Sequence, residues 1–260
     1  MTVFDALAAA VRADDPVALA TVVDGPGTGA KLLVSPQREP MGSLGDPGLD
    51  RVVARDALGS LASGISGVRS YGPHGEARVA DVRVFIECFA APPRMLIFGA
   101  VDFTRALVEV ANVLGYRVTV CDAREVFATR ERFPDAHEVI VDWPHRYLEK
   151  VGASLGPLDA VCVLTHDPKF DVPAVMAALD TDVGYLGVMG SRRTTLDRHR
   201  RLVDAGADPV ALARMSAPIG LDLGARTPEE TAISICAEII TMRTGRTASA
   251  PLKDAAGPIH

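Results

Sequence analysis

The sequence predicts an α/β protein: a doubly wound parallel sheet preceded by a small α+β N-terminal domain. Three observations carry this expectation. From Arg94 onward, short apolar runs alternate with amphipathic stretches, the pattern of strands buried on both faces and joined by helices. The first run, Met95 to Phe98, ends at Gly99 and opens into a helical stretch, as the first strand of a Rossmann-like fold does. The residues before 90 have another texture, with short strands and turn-rich pieces, and Ala90-Ala91-Pro92-Pro93 reads as a linker. The expected organisation is residues 1–91 as an N-terminal domain, 94–247 as a Rossmann-like domain, and 248–260 as a flexible tail rich in Ala, Ser, Gly and Pro.

In the N-terminal module, Val17–Val23 and Lys31–Val34 read as strands and residues 50–62 as a helix. Gly42 to Gly48 and Arg69 to Gly75 read as turn regions, and Val79–Phe89 alternates apolar and polar residues as a strand does. In the second module, strands are expected at Met95–Phe98, Tyr116–Cys121, Glu138–Val141, Ala160–Leu164 and Val183–Val188. Asp102–Leu114 places Phe103, Ala106, Leu107, Val110, Val113 and Leu114 on one helical face, with Gly115 suited to the C′ position. Ser191–Asp204 is a second helix. Thr227–Arg243 is the last, and its Thr-Pro-Glu-Glu start combines an N-cap, a proline in the first turn and a capping-box glutamate. Right-handed crossovers between these strands predict the order 3-2-1-4-5.

Composition narrows the function classes. The chain has 260 residues, 48% hydrophobic and 23% charged, which excludes wholesale disorder. A net charge of −6 and 5% aromatics argue against a nucleic-acid partner. No apolar run approaches the roughly 20 residues of a membrane span. The N-terminus lacks the basic region of a signal peptide and carries Asp5 early. Cys88, Cys121, Cys162 and Cys236 sit in apolar runs without CxxC spacing, and read as buried thiols of a reducing compartment. The expected location is cytoplasmic. The apolar share slightly exceeds what one small chain needs, which suggests a homodimer.

Candidate chemistry falls at the strand ends. Gly99-Ala100-Val101-Asp102-Phe103-Thr104 has the position of a dinucleotide-binding turn but keeps only the first glycine of G-x-G-x-x-G. Asp102 is expected to N-cap the following helix, placing a carboxylate where a diphosphate would sit, so NAD(P) is expected to bind poorly. Asp122 lies about twenty residues further on, where an acidic residue faces an adenosine ribose, and Arg124 could pair with a 2′-phosphate. The alternative is a strand-end aspartate capping a turn. Thr165, His166 and Asp167 follow the fourth strand, where His166 is either a proton carrier or part of a plain turn. Gly190, Ser191, Arg192 and Arg193 follow the fifth strand, where a helix start and two guanidinium groups make an anion site. Asp222 and Arg226 lie in a Gly-rich loop feeding the last helix, either completing a pocket or merely turning the chain. The remaining histidines, His74, His137, His145, His199 and His260, show no metal-ligand spacing.

The segments MLIFGA, GYRVTVCDAR, FATRERFPDA, VDWPHRYL, THDPKFD, GYLGVMGSRR and PIGLDLGARTPEETAISI, in this order, resemble the XdhC/CoxI family. These are accessory proteins of xanthine dehydrogenase and related molybdenum hydroxylases. The resemblance is close over residues 94–243 and looser in the N-terminal module. It implies a small N-terminal domain followed by a Rossmann domain. It also implies molybdenum cofactor as ligand, a molybdenum hydroxylase as partner, and a role in cofactor sulfuration and insertion. The family's Ser-Gly-Gly-Cys stretch is replaced here by Gly45-Asp46-Pro47-Gly48, without cysteine, and its second Cys-Gly-Gly is absent. Three roles follow as expectations: a cofactor-binding maturation protein, a non-catalytic interaction module, or an NAD(P)-dependent oxidoreductase. Whether the chain turns over a substrate is left open by the sequence.

Overall fold

The computed structural model describes residues 2–76, 81–89 and 91–245. The expected tail at 248–260, the first residues of the expected 79–89 strand, and Ala90 of the expected linker lie outside the described residues. The chain divides into two compact units, Met1–Ala91 and Pro92–His260.

The first unit contains α1 (Val3–Arg12), β1 (Val17–Asp24), β2 (Lys31–Ser35), β3 (Arg38–Ser43), α2 (Pro47–Ser63), β4 (Gly67–Tyr71) and β5 (Val82–Phe89). Its strands form an antiparallel sheet in the order β3-β2-β1-β5-β4. The two-residue period of β1 sends Ala18, Ala20 and Val22 to the core under Leu49, Val53 and Ala57 of α2. Val17 packs with Ala6 and Ala10 of α1 on the other face. Besides α1, which the expected elements do not include, two segments differ from expectation. Arg38–Ser43 is a strand although it contains Pro40 and Gly42, because β3 is a sheet edge, where a proline interrupts no ladder. The N-terminal half of the expected turn at Arg69–Gly75 is the opposite edge, β4, whose exposed Arg69 and Ser70 hide any strand pattern.

The second unit runs β6 (Arg94–Phe98), α3 (Asp102–Val113), β7 (Arg117–Asp122), β8 (Glu138–Val141), α4 (Pro144–Val151), β9 (Ala160–Val163), α5 (Pro168–Leu179), β10 (Tyr185–Val188), α6 (Arg192–Asp204), α7 (Pro209–Leu212), β11 (Met215–Ser216) and α8 (Pro228–Arg243). Its strands pair in parallel in the order β11-β10-β9-β6-β7-β8. Counted from β6, this is the expected 3-2-1-4-5 with a sixth strand, β11, at the edge. Alternate residues of the strands serve two cores. Met95, Ile97, Val118, Val120 and Cys162 pack under α3 and α8, while Leu96, Phe98, Val161, Val163 and Val188 pack under α4, α5 and α6. The sheet is therefore covered on both faces, the α/β architecture that the sequence predicts. Among the described residues no helix is long and apolar enough to cross a membrane.

Candidate anion site at the carboxyl ends of the parallel strands

The strand order fixes what can meet. β7, β6, β9 and β10 are neighbours, so their carboxyl ends line up as Asp122, Gly99, Thr165 and Gly190. At about 4.8 Å per strand, the Gly99 and Gly190 turns lie roughly 10 Å apart. α3 leaves β6 onto one face and α5 leaves β9 onto the other, which opens a crevice between them.

The Gly99 turn is closed by its own neighbours. Gly99 has φ +116°, and a Cβ there would stand 2.9 Å from the Thr165 amide nitrogen at the end of β9. Only glycine meets both demands without strain. The Ala100 amide donates to Asp122 Oδ2 at 2.8 Å, and the Val101 amide to Thr104 Oγ1 at 3.3 Å. The fully buried Thr104 hydroxyl in turn donates to the Gly99 carbonyl at 2.5 Å. Arg132 donates to the Ala100 carbonyl at 3.2 Å. The expected Asp102 cap is not formed. The N-cap is Val101, which has no side-chain acceptor to offer, and Asp102 is the first helical residue. Thr104 does the capping from inside the helix; the Ala100 and Val101 amides are held by Asp122 and Thr104, while the Asp102 and Phe103 amides at the start of α3 have no acceptor among the described residues.

Asp122 and Arg124 come together, but with each other. The buried Asp122 carboxylate accepts the Arg124 amide and Nε, both at 2.9 Å, and Arg124 Nη2 at 2.8 Å, besides the Ala100 amide. Burial works to raise its pKa, but the Arg124 hydrogen bonds and the Ala100 amide outweigh it and hold the carboxyl below the usual carboxylate range. The four donors fill both oxygens. Arg124 also lies 4.5 Å over the Phe127 ring, and Arg132 lies 5.4 Å over the same ring. An open groove of about 610 Å³ runs between the start of α3 and this loop, lined by Val101, Asp102, Arg105, Thr129, Arg132 and Phe133.

In the middle of the crevice, Thr165 is buried and its hydroxyl accepts the Asp167 amide at 3.4 Å. Asp167 N-caps α5 through the Lys169 amide at 3.1 Å and pairs with the Lys169 side chain at 3.1 Å. The Lys169 amide and then its side chain hold the Asp167 carboxyl below its usual range, with a further pull from Arg124. His166 is exposed and has no hydrogen-bond partner among the described residues.

At the end of β10, Ser191 caps α6, its Oγ accepting the Thr194 amide at 3.1 Å. Arg192 and Arg193 are exposed, and their amides have no acceptor among the described residues. Directly inside this turn lies Arg198, fully buried and paired to Asp171 of α5 at 2.9 Å. Nothing in the sequence marks it. α6 carries five arginines, and only the packing shows that Arg198 shares the inward face with Leu202. The structure also pins the 219–227 loop to α8. The Gly220 amide donates to Glu238 at 2.8 Å and the Leu221 amide to the Ser234 carbonyl at 3.2 Å. Asp222 and Arg226 are exposed beyond these anchors.

In the first unit, Gly45–Gly48 opens α2. Asp46 is its N-cap, accepting the amides of Gly48 and Leu49, and His74 Nδ1 lies 2.8 Å from the same carboxylate. Cys121, Cys162 and Cys236 are buried as free thiols, whereas Cys88, expected to be buried, is partly exposed. Among the described residues no three of His, Cys, Asp and Glu come together as a metal-binding group.

Residues 95–239 match the XdhC Rossmann domain, and residues 10–72 match the XdhC and CoxI family. The chain is 27% identical over 259 residues to the uncharacterized protein YqeB of Escherichia coli K12, covering 94% of this chain and 46% of that one. It is 32% identical over 160 residues to a protein of Bacillus subtilis 168 described as a probable xanthine dehydrogenase subunit, covering 62% of this chain and 46% of that one. Over 84 residues it is 33% identical to the molybdenum cofactor insertion chaperone PaoD of Escherichia coli K12, covering 32% of this chain and 26% of that one. The chain thus spans less than half the length of these relatives. A Bacillus halodurans crystal structure described as a xanthine dehydrogenase shares the fold, with a TM-score of 0.56 and 21% identity over 96% of this chain and 98% of that one. The two family matches cover the parallel-sheet unit and most of the antiparallel one, and the chain belongs to the XdhC and CoxI family.

Proposed function

We propose that this protein is an accessory factor that binds molybdenum cofactor as cargo and aids its insertion into a hydroxylase of the xanthine dehydrogenase or CO dehydrogenase type. The observation that carries the reading is the Gly190–Arg193 turn. Two exposed arginine side chains and two amides with no acceptor among the described residues stand at the start of a 13-residue helix, on the side of the sheet where α/β proteins bind ligands. This donor set fits an anionic group such as the phosphate of the pterin. The names of two relatives, a molybdenum cofactor insertion chaperone and a probable xanthine dehydrogenase subunit, supply the cargo and partner class.

In this reading the chain's residues bind and orient. The α6 amides and Arg192 and Arg193 hold the phosphate, while Thr165, His166 and Asp167 line the neighbouring wall of the crevice. The oxidoreductase alternative has weaker support, because the Gly99 turn spends its amides on Asp122 and Thr104. The test is the activity of the partner hydroxylase in cells that carry Arg192→Ala with Arg193→Ala in this protein. The proposal expects hydroxylase protein at its normal level but low in activity. Full hydroxylase activity would overturn it.

A further inference from the structure

Arg198 is the only fully buried arginine among the described residues, and its hydrogen bonding is incomplete. Nε donates to Asp171 Oδ2 at 2.9 Å, and Nη2 donates to the Met189 carbonyl at 2.9 Å. Nη1 has no partner, and neither do the buried Asp171 Oδ1 and Thr195 Oγ1. A guanidinium N–H left unsatisfied away from water is costly, so a fold that keeps one calls for a reason. Its position gives one. Side chains on a helix lean toward the N-terminus, so Arg198, two turns into α6, brings its head group level with the start of that helix. Nη1 lies 3.3 Å from the point that a Cβ on Gly190 would occupy. Gly190 has no side chain to cover it, but Thr194 Cβ and Cγ2 lie 3.3 and 3.4 Å from the same point, so a ligand reaches Nη1 when the Thr194 side chain turns aside.

We infer that Arg198 is the inner wall of the site at Gly190–Arg193, with Nη1 donating to one oxygen of a phosphate group that settles over Gly190. The amides and side chains of Arg192 and Arg193 take the outer oxygens. Asp171 balances the charge of Arg198, so Arg198 acts as a fixed donor, while the attraction for the anion comes from Arg192, Arg193 and the helix start. Donors on two sides of one point suit a tetrahedral phosphate better than a flat carboxylate. This inference rests on the anion site proposed above and adds two residues to it, Arg198 as ligand-contacting donor and Gly190 as the gap that admits the ligand.

The test titrates the full chain with inorganic phosphate and with phenyl phosphate by calorimetry. Gly190→Ala adds one methyl group in front of Nη1 and leaves the Arg198–Asp171 pair in place. It should lower affinity for both probes at least tenfold; because Gly190 has φ +159° and the added Cβ meets Arg198 Nη1 and Thr194 at 3.3 Å, the thermal midpoint should also fall, so binding is compared at a temperature where both proteins are folded. Arg198→Met should lower affinity similarly, and if it fails to fold, Gly190→Ala alone decides. Tighter binding of phenyl phosphate than of inorganic phosphate points to an esterified phosphate on a larger ligand, and equal binding to free phosphate. If Arg192→Ala with Arg193→Ala abolishes binding but Gly190→Ala binds as the parent does, the outer site stands and Arg198 is a buried structural ion pair. If the parent binds neither probe, both the anion site and this inference fall.

Discussion

The Asp122 carboxylate accepts the Ala100 amide at 2.8 Å, and so ties the end of β7 to the turn that opens α3. In a dinucleotide-binding protein of this fold, the acidic residue at this strand end faces the ribose and the turn amides face the pyrophosphate. Here the two halves of that site satisfy each other. Asp122→Asn keeps one acceptor but weakens the pairing to Arg124 and turns an amide group toward a donor. It should cost about 1–3 kcal/mol of stability in urea unfolding, since a largely buried charged hydrogen bond is lost.

The same closure predicts weak nucleotide binding. NAD(H) and NADP(H) should bind the parent protein with affinities weaker than micromolar by calorimetry. Replacing Asp122 alone should not create tight binding, because Thr104 still holds the Val101 amide and no second glycine lets the backbone approach a pyrophosphate. Micromolar affinity in the parent would show that the turn opens readily, against the geometry described.

Gly99→Ala tests how closely β6 and β9 approach at the crevice. The added Cβ would sit 2.9 Å from the Thr165 nitrogen and 3.2 Å from the Leu164 carbonyl carbon, both backbone atoms, at a φ of +116°. Backbone cannot yield as a side-chain tip can. We expect a loss of about 1–3 kcal/mol or more from strain of this kind. A variant as stable as the parent would mean that the two strand ends separate without cost.

At the Gly190 turn, Arg192→Ala with Arg193→Ala should weaken phosphate binding by about 1.5–3 kcal/mol per charged hydrogen bond lost. Both side chains are exposed, so stability should change by no more than about 0.5 kcal/mol. Asp171→Ala should behave in the opposite way, with a loss of about 3–5 kcal/mol in stability, because it strands the buried Arg198 charge. Thermal unfolding and phosphate titration of the two variants separate these effects.

The Asp46–His74 pair gives the first unit a pH dependence. The Asp46 hydrogen bond, followed by its charge, holds the His74 pKa above the usual histidine value. The same hydrogen bond from His74, with the Leu49 amide next, holds Asp46 below the usual carboxylate range. The folded protein thus binds the His74 proton more tightly than the unfolded chain. The contribution of His74 is complete below about pH 6.5 and is lost as pH rises through its raised pKa. That of Asp46 is present above about pH 3.9 and is lost as pH falls through its lowered pKa. His74 is exposed and Asp46 half-buried, so solvent screens the pair and the effect is small. The stability gap between the parent and His74→Gln should narrow between pH 6 and pH 9, and a gap constant over that range would contradict the assignment.

The parallel sheet is legible in the sequence because its strands are continuous apolar runs ended by glycines or charged residues, and because Thr227-Pro228-Glu229-Glu230 spells out a helix start that forms as expected. Segments whose partners decide their state are not legible. α5 begins with Pro168 and contains Pro173, which read as breakers, yet Pro168 sits at the first helical position, where it interrupts no hydrogen bond. The edge strands β3 and β4 carry too few buried residues to show a period, whereas α1 shows one in Val3, Ala6, Leu7 and Ala10 behind its Thr2–Asp5 capping box and is legible on that ground. At the site, Asp122, Arg124 and the Gly190–Arg193 turn stand out by their place after a strand. Arg198, Asp171, Thr104 and Arg132 do not, since their roles depend on which helix face turns inward and on contacts between segments far apart in the chain.

The turn at Gly190–Arg193 is proposed to hold the phosphate of a molybdenum cofactor. The most direct measurement is to purify the full chain from cells that make that cofactor, release the bound small molecules and identify them by mass spectrometry, beside the Arg192→Ala with Arg193→Ala variant. A molybdopterin species is expected in the parent, depleted in the variant. A nicotinamide nucleotide in its place, no bound molecule, or equal molybdopterin in both proteins would contradict it.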